Sequence, residues 1–449
     1  MPHAVKTQTR LHQLNKALES GTFIKVRQML NGMSPAEIAH LMESIPPNAR
    51  TILWRLVSTE VEGEVLQYLN DEILKQIVKK MNTQELTSVL EDLDTDDLAD
   101  ILQTLPKAVT RQVLNSLDSM NRKRLEEVFE YPDDTAGGLM NTDTITVRPN
   151  ITLDVVQRYL RRHEEIPEMT DNLLVVNRKG QFIGTLPLTT LLIKKPSMTV
   201  RKVMLTDAEA IHADMHRSDV ANLFEHHDLI SAPVVDKNNV LLGRITIDDV
   251  VDVIREDADH SLMSMAGLDE EEDIFAPILT ASRRRSVWLG VNTLTAFIAA
   301  GVMGFFSDTI EKVVALAILS PVVASMGGIA GSQTLTLVIR GMALGHVGFA
   351  NARLLLSREV AVGFVNGMVW AVIIGSITSL WWGEISIGLI IAASTLINLI
   401  AAAISGAALP LILKRMNIDP ALAAGVILTT VTDVVGFASF LGLASIVYN

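Results

Sequence analysis

The chain has 449 residues, a formal net charge of −13 and no cysteine. The absence of cysteine excludes disulfides, thiolate metal sites and cysteine nucleophiles, and the acidity disfavours nucleic acid and anionic lipid as ligands of the soluble part. Residues 286–449 hold six basic and six acidic side chains, so the negative balance belongs to residues 1–285. No long apolar run precedes Ser286, and we therefore expect a soluble cytoplasmic assembly without a signal peptide up to that point.

Short helices in series are predicted for residues 1–135. Ser34–Glu37 has the form of a capping box with proline at the first helical position, and Asn82–Glu85 and Asp94–Asp97 are similar helix starts followed by apolar residues at helical spacing. Stacked helical hairpins of this kind form an all-α superhelix whose broad face is suited to docking on another domain.

Two similar α/β units follow, at residues 136–200 and 201–256. Each contains two apolar strands that flank a polar turn, namely Leu173–Asn177 with Phe182–Leu186 and Ser231–Asp236 with Val240–Ile245. The pair resembles tandem CBS domains, a regulatory module that often binds adenine nucleotides. In that family an Asp after the last strand commonly serves the nucleotide, a position that Asp248 fills in the second unit and that Leu188–Thr190 fills in the first. The resemblance therefore leaves an adenine-nucleotide site open at Asp248 alone.

A run of carboxylates begins in the second unit and continues into a segment, residues 257–285, that we predict to be a connecting helix. Eleven acids stand against the single basic residue Arg255: Asp248, Asp249, Asp252, Glu256, Asp257, Asp259, Asp269, Glu270, Glu271, Glu272 and Asp273. Four of them, Asp249, Asp252, Glu256 and Asp259, share one helical face and repel one another. A solvated acidic helix is one interpretation. The other is a divalent-cation sensor, because the helical domain offers facing acids at Asp94, Asp96, Asp97 and Asp100, and Mg²⁺ keeps much of its water and touches only one or two carboxylates.

The last part of the chain contains five segments long enough to cross a bilayer. Their bounds are Ser286–Ser307, Val313–Ile339, Val360–Gly383, Ile385–Leu413 and Ala421–Val447. Asp433 is the lone charged residue within them, near the middle of the fifth, where an ionisable group is costly and usually functional. Glycines four residues apart, at Gly327 with Gly331 and at Gly363 with Gly367, permit close helix contact. Pro321 is expected to break the second helix.

Basic residues in the connecting loops predict the orientation of the spans. They precede the first span and lie between the second and third and between the fourth and fifth, at Arg283, Arg284, Arg285, Arg353, Arg358, Lys414 and Arg415. Loops rich in such residues stay in the cytoplasm. We therefore predict a cytoplasmic N-terminus and an external C-terminus.

Two stretches of the membrane part, Pro321–Gln333 and Thr429–Phe437, resemble the signature regions of the MgtE family of magnesium transporters. The order of parts agrees over the whole chain: an all-α superhelical N domain, α/β tandem CBS domains, a connecting or plug helix and an all-α membrane domain of five helices at residues 286–449. The resemblance implies a homodimeric, magnesium-selective channel of the bacterial cytoplasmic membrane, with Mg²⁺ as both transported and regulatory ion. Its pore lies between subunits, lined by the second and fifth spans, and closes when cytosolic Mg²⁺ binds the acidic domains.

The same resemblance assigns roles to particular residues. Pore residues would be Asp433, Thr429 and Gly328. Cytosolic sensing would use Asp94, Asp97, Asp228, Asp248, Asp249, Asp252, Glu256, Asp257 and Asp259. One departure is Ile329, which replaces the asparagine common in the family's Gly-Gly-Asn-Ala-Gly stretch and leaves cobalt or another divalent ion open as the substrate.

Other classes of protein stay open at this point. A proton-coupled carrier also uses a midplane carboxylate, and a non-transporting membrane sensor would need only the CBS pair. An enzyme is not expected, because the sequence has no phosphate-cradling loop, nucleophile triad or His-based metal motif.

Overall fold

The computed structural model describes residues 23–90, 93–117, 119–162, 166–167, 169–268 and 272–448. Three acids of the predicted carboxylate run, Asp269, Glu270 and Glu271, lie outside the described residues. The chain divides into two units. The first comprises Met1–Ala258 with Glu271–Ala276, and the second comprises Asp259–Glu270 with Pro277–Asn449.

Short helices fill the first part of the first unit. They are α1 Phe23–Leu30, α2 Pro35–Glu43, α3 Pro47–Trp54, α4 Glu62–Gln67, α5 Asp71–Val78, α6 Thr83–Leu90, α7 Thr95–Thr104, α8 Lys107–Ser116 and α9 Ser119–Val128. The predicted capping box is confirmed, since the Ser34 hydroxyl accepts the Glu37 N–H at 3.3 Å and the Glu37 carboxylate accepts the Ser34 N–H at 3.2 Å. Asn82 and Glu85 make the same reciprocal pair, at 2.8 and 3.3 Å. Local chemistry thus sets where these two helices begin. At the third predicted start, Asp94 is the N-cap residue of α7 but makes no side-chain cap hydrogen bond.

Two small sheets of equal topology form the α/β part. In each, the first strand pairs parallel with the second and the second pairs antiparallel with the third. The elements are β1 Thr146–Val147, α10 Leu153–Leu160, β2 Asn172–Val176, β3 Phe182–Pro187, α11 Leu188–Ile193, α12 Val200–Val203, β4 Ile211–His212, α13 Arg217–His227, β5 Ser231–Val235 and β6 Leu241–Thr246. The duplication agrees with the predicted tandem pair.

One apolar core joins the helical part to the second α/β repeat. Buried residues from α2 to α9, such as Ile38 and Leu102, belong to the same cluster as Phe224, Ile245 and Val250 of the second repeat. The first repeat has its own core around Leu153 and Leu186. Burial of this shared apolar surface holds α7 close to the end of β6, which is where the predicted sensing carboxylates lie.

A long helix, α14 Ile247–Met265, begins in the first unit and ends in the second. The predicted connecting segment, residues 257–285, therefore contains the end of α14, the turn around Gly267 and the beginning of the next helix. Gly267 adopts φ of 71° there, and an added Cβ would lie 2.9 Å from the Trp288 ring. Glycine permits both the left-handed backbone and this close approach.

Five helices of the second unit are long and apolar enough to cross a membrane, as predicted. They are α15 Ile278–Gly304, α17 Ala315–Ala343, α18 Ala352–Trp382, α19 Ile385–Arg415 and α20 Pro420–Tyr448, with the short helix α16 Ser307–Lys312 after the first. We call the five long helices the first to fifth spans. The helices extend beyond the apolar segments into the charged residues that flank them, because a helix forms its backbone hydrogen bonds within itself. The predicted break at Pro321 is wrong: the second span continues through it.

Glycines bring the third and fourth spans close together, as predicted for the Gly363 and Gly367 pair. An added Cβ at Gly363 would lie 2.7 Å from the Ala403 Cβ, and one at Gly367 would lie 2.6 Å from Leu396 Cδ1. Small residues permit the close backbone approach on which helix association in lipid depends.

A buried ion pair fastens Asp273, which lies in the connecting segment, to the helical part of the first unit. Arg50 is 2% exposed and Asp273 is 4% exposed. The Arg50 guanidinium donates to both carboxylate oxygens of Asp273, at 2.5 and 2.7 Å, and its Nε donates to the Met42 carbonyl at 2.8 Å. Burial by itself raises the pKa of Asp273, but hydrogen bonds from Arg50 and from the Phe275 backbone outweigh it and leave the pKa below its usual value.

We expect Arg50→Met to destabilise the first unit by roughly 3–5 kcal/mol, because it leaves Asp273 buried without its counter-charge. A carboxylate with a depressed pKa stabilises the fold above its unfolded pKa, so the contribution of the pair is present at neutral pH and lost below about pH 4. The measurement is the urea midpoint of the first unfolding transition of the detergent-purified chain. Arg55→Met removes an exposed arginine and is the control. Equal midpoints for the two variants at pH 7 would contradict the assignment.

Candidate functional site

Carboxylates from α7 and from the start of α14 meet in the first unit. We call Asp94, Asp96, Asp97, Asp248, Asp249 and Asp252 the acidic cluster. Asp96 and Asp97 lie in the first turn of α7, where the positive end of the helix dipole favours acids. Asp249 holds the start of α14 by accepting the Thr246 N–H at 3.1 Å and the Thr246 hydroxyl at 3.0 Å. Asp248 accepts a bond from the same hydroxyl.

Burial and mutual repulsion disfavour negative charge in the acidic cluster. Burial, and then the charges of Asp96 and Asp249, raise the pKa of Asp97 to about 9. Burial and the neighbouring carboxylates also raise the pKa of Asp96, which is 8% exposed, and that of Asp249. Partial desolvation raises the pKa of Asp252 as well, although this side chain is exposed, and Arg255 opposes the shift. The cluster therefore concentrates acids in a place that favours a cation.

Neutral side chains donate hydrogen bonds to Asp96 and Asp97. Gln67 Nε2 donates to Asp97 Oδ1 at 2.6 Å, and Asn141 Nδ2 donates to Asp96 Oδ1 at 3.1 Å. Neither of these two donors carries a positive charge. The oxygen-only donor set fits a hard divalent cation such as Mg²⁺. Within the described ranges no three or more His, Cys, Asp or Glu residues form a ready metal cage.

The remaining predicted sensing residues have different surroundings. Arg217 donates to Glu256 at 3.0 Å and to Asp257 at 3.4 Å, so these two acids already have a counter-charge. Asp228 ends α13 in the left-handed conformation, with φ of 51°. Asp259 is exposed on α14 in the part that belongs to the second unit. Their sensing roles stay predictions.

In the second unit, the fifth span crosses the second span beside Asp433. An added Cβ at Gly331 would lie 2.8 Å from Leu428 Cδ1, and one at Gly436 would lie 3.6 Å from the Ala324 Cα. Asp433 lies between Leu428 and Gly436 and is therefore level with Gly327 and Gly328. Gly328 has open space beside it. The structure thus brings Asp433 and Gly328, two of the predicted pore residues, to one level of the membrane part.

A polar face on the second span is exposed beside this crossing. It comprises Ser325, Ser332, Gln333 and Thr336, and on the fifth span Thr429 is also exposed. Ile329 lies in the same face and is 58% exposed. Polar side chains on a membrane span favour a water-filled path or another protein surface over hydrocarbon. Thr429 lies one helical turn before Asp433 on the fifth span, and its role in a pore stays a prediction.

Sequence reasoning missed several polar contacts among the spans. Asn398, in the fourth span, donates to the Val323 carbonyl of the second span at 2.8 Å, and Thr334 donates to Glu359 at 3.0 Å. His260 of α14 lies 3.2 Å from Asp419, which accepts the Ala421 N–H at the start of the fifth span. In the sequence, Glu359 could have been noticed because it lies at the edge of an apolar run. Asn398 is less conspicuous, because it is an uncharged amide within an apolar run.

Comparisons with known proteins agree along the chain. Family models match the MgtE intracellular N domain at residues 33–134, the CBS domain at 136–195 and 200–256, and the MgtE divalent cation transporter at 320–443. The magnesium transporter MgtE of Thermus thermophilus is 30% identical over 439 residues, which cover 96% of this chain and 97% of the relative. The magnesium transporter MgtE of Bacillus subtilis is 30% identical over 332 residues, 74% of each chain. The crystal structure of the cytosolic domain of the Mg²⁺ channel MgtE in complex with ATP is 31% identical, with a TM-score of 0.51, and covers 54% of this chain and 99% of that one.

We expect Asp97→Asn to stabilise the first unit in EDTA by roughly 0.5–2 kcal/mol, because burial and the neighbouring acids oppose ionisation of the wild-type carboxylate and the neutral amide avoids that cost. Wild-type protein should gain stability on addition of Mg²⁺, by about 2.7 kcal/mol at a hundredfold excess over the dissociation constant. The variant should gain less. Thermal unfolding with and without Mg²⁺ measures both effects, and Asp207→Asn, which neutralises an exposed acid elsewhere in the unit, is the control. A Mg²⁺-induced shift of equal size in all three proteins would argue against a cation site at Asp97.

Proposed function

The chain belongs to the MgtE family of magnesium transporters, and from this premise we propose that it is a homodimeric channel that admits Mg²⁺ to the cytoplasm and closes when cytosolic Mg²⁺ is high. The proposal rests on the position of Asp433. This carboxylate lies on the fifth span where it crosses the second span, level with Gly328 and beside an exposed polar face.

The pore is proposed to lie between two copies of the second and fifth spans. The exposed side chains of Ser325, Ser332 and Thr336 support this arrangement, because a second copy would cover a polar face that lipid solvates poorly. One Asp433 from each subunit then provides two negative charges, which attract a hydrated divalent ion more strongly than a monovalent one. Thr429 and Gly328 border the path.

Inward flux follows from the membrane potential. An inside-negative potential assists entry by about 2.3 kcal/mol per charge per 100 mV, and a divalent ion gains twice that. Arginines and lysines at the ends of the spans favour a cytoplasmic N-terminus and an external C-terminus in a bacterial inner membrane. The proposed domains are residues 1–135, 136–200, 201–256, 257–285 and 286–449, in the order helical, two CBS, connecting and membrane.

Gating is proposed to start at the acidic cluster. Bound Mg²⁺ would supply positive charge that offsets the repulsion between α7 and the start of α14. With repulsion relieved, Asp97 on α7 and Asp249 on α14 can stay close while ionised. Supporting evidence is the course of α14: the helix that begins beside Asp248 reaches His260, which contacts Asp419 at the start of the fifth span. A change in the position of α14 can therefore act on the helix that carries Asp433.

Two refinements concern ligands. The ATP complex of the similar cytosolic domain supports an adenine nucleotide at the CBS domains, with Asp248 after β6 as the candidate contact. The exposed Ile329 favours a second candidate function, transport of a broader set of divalent cations including cobalt, because it puts an apolar side chain where a polar one would help to hold Mg²⁺.

We expect Asp433→Asn, which keeps the side-chain volume and removes the charge, to reduce Mg²⁺ entry into proteoliposomes by at least about a hundredfold. Entry is measured with an internal Mg²⁺ indicator under an imposed inside-negative voltage, with Co²⁺ tested in parallel. Asp308→Asn, outside the spans, is the control and should transport normally. Unreduced Mg²⁺ entry through Asp433→Asn would overturn the pore assignment. Entry that a protonophore abolishes at fixed voltage would indicate a proton-coupled carrier instead.

We expect the double variant Asp97→Asn with Asp249→Asn to conduct normally but to resist closure by cytosolic Mg²⁺, because the cluster loses two carboxylates that would bind the ion. The concentration of Mg²⁺ on the cytosolic side that halves the flux should rise at least about tenfold, the factor that about 1.4 kcal/mol of lost binding produces. The Asp207→Asn protein serves again as the control. If the same Mg²⁺ concentration halves the flux in the double variant and in the wild type, the acidic cluster has no role in gating.

A further inference from the structure

The side chain of Asn398 lies in the interior of the membrane part, where the second, fourth and fifth spans meet, and is 0% exposed. We propose that Asn398 is a positioning residue that sets the separation of the second and fifth spans beside Asp433, and thereby the preference of the path for Mg²⁺ over larger divalent ions. The inference rests on the proposed function, since it concerns the selectivity of the same path.

Two glycines make room for the Asn398 amide. An added Cβ at Gly436 of the fifth span would lie 2.9 Å from Asn398 Nδ2, and one at Gly327 of the second span would collide with the same amide. The amide therefore fills the gap between the two helices that carry Asp433 and Gly328. Close packing of this kind leaves neither helix free to approach the other.

One hydrogen bond fixes the amide to the second span. Asn398 Nδ2 donates to the Val323 carbonyl at 2.8 Å, four residues before Gly327. The other amide atom, Oδ1, is buried and has no hydrogen-bond partner among the described residues. Burying an unsatisfied acceptor in an apolar interior costs stability, whereas an aliphatic side chain of similar size would avoid that cost. A costly group at this position points to a role beyond filling space.

The position relative to Asp433 indicates that role. Gly436 lies about one helical turn beyond Asp433, and Gly327 directly precedes Gly328. The amide therefore lies at the level where the second and fifth spans, which line the candidate pore, cross. Mg²⁺ requires a site of closely defined dimensions, whereas Ca²⁺ accepts larger and more flexible ones. A spacer that fixes the helix separation therefore favours Mg²⁺.

The test compares Mg²⁺ and Ca²⁺ entry into proteoliposomes that contain the full chain, under one imposed inside-negative voltage. Asn398→Ala removes the spacer, and the ratio of Mg²⁺ to Ca²⁺ entry should fall by about tenfold, the factor that about 1.4 kcal/mol of differential stabilisation produces. Asn398→Ser serves in its place if the alanine variant is not recovered in the membrane, with a fall in the same direction. Ser394→Ala is the matched control, since this fully buried hydroxyl of the fourth span donates to Ile390 of its own helix.

A second pair of variants tests the packing itself. Gly436→Ala should lose Mg²⁺ entry, because its methyl group meets the Asn398 amide. Combining Gly436→Ala with Asn398→Ala should restore entry, because the methyl group then occupies part of the vacated space. If the two residues acted independently, Mg²⁺ entry in the double variant would be no higher than in Gly436→Ala.

The outcomes separate the inference from the proposed function. Suppose that the wild-type protein conducts Mg²⁺ and that Asp433→Asn abolishes this entry. If Asn398→Ala then keeps the wild-type ratio of Mg²⁺ to Ca²⁺ entry, and the double variant shows no rescue of Gly436→Ala, the inference is overturned and the proposed function stands. A wild-type protein without Mg²⁺ entry overturns both. A changed ratio with an unchanged Ser394→Ala control supports the positioning role.

Discussion

Negative charge without enough neighbouring positive charge is the constraint on which this protein depends. In the first unit, Asp96, Asp97 and Asp249 are held close enough that burial and mutual repulsion raise their pKa values. In the membrane part, Asp433 is the charged residue of the fifth span. A fold retains such arrangements at a cost in stability, and we propose that a divalent cation relieves the cost in both places. The same ion can therefore serve as signal and as substrate.

Coupling between the two places requires an element whose position depends on bound cation. A ligand shifts a conformational equilibrium only by its difference in affinity for the two states. The acidic cluster provides such a difference, because bringing α7 and α14 together increases both the repulsion and the attraction for Mg²⁺. The helix α14 then continues to His260 and its contact with Asp419, at the N-terminus of the fifth span. The ion pair with Arg50 fastens Asp273, a few residues before the first span, to the first unit.

Much of this organisation was predictable from the sequence. Capping at Ser34 is local, and five apolar runs have a length that lipid imposes, so both were predicted correctly. Contacts between distant residues were not. Arg50 and Asp273 are 223 residues apart, and nothing in either sequence neighbourhood indicates the other. Arg217 likewise pairs with Glu256 from 39 residues away, which a helical-face argument on α14 could not reveal. Asn398 matters because of two glycines on other helices, a relation that only the packed bundle defines.

The most direct test of the central claim is an electrical recording from the purified protein in a planar bilayer, with Mg²⁺ as the permeant cation. The account predicts an inward Mg²⁺ current at inside-negative voltage that disappears reversibly as Mg²⁺ on the cytosolic side is raised and returns when it is chelated. A steady current indifferent to cytosolic Mg²⁺ would contradict the gating role of the acidic cluster, and the absence of any Mg²⁺ current would contradict the channel itself.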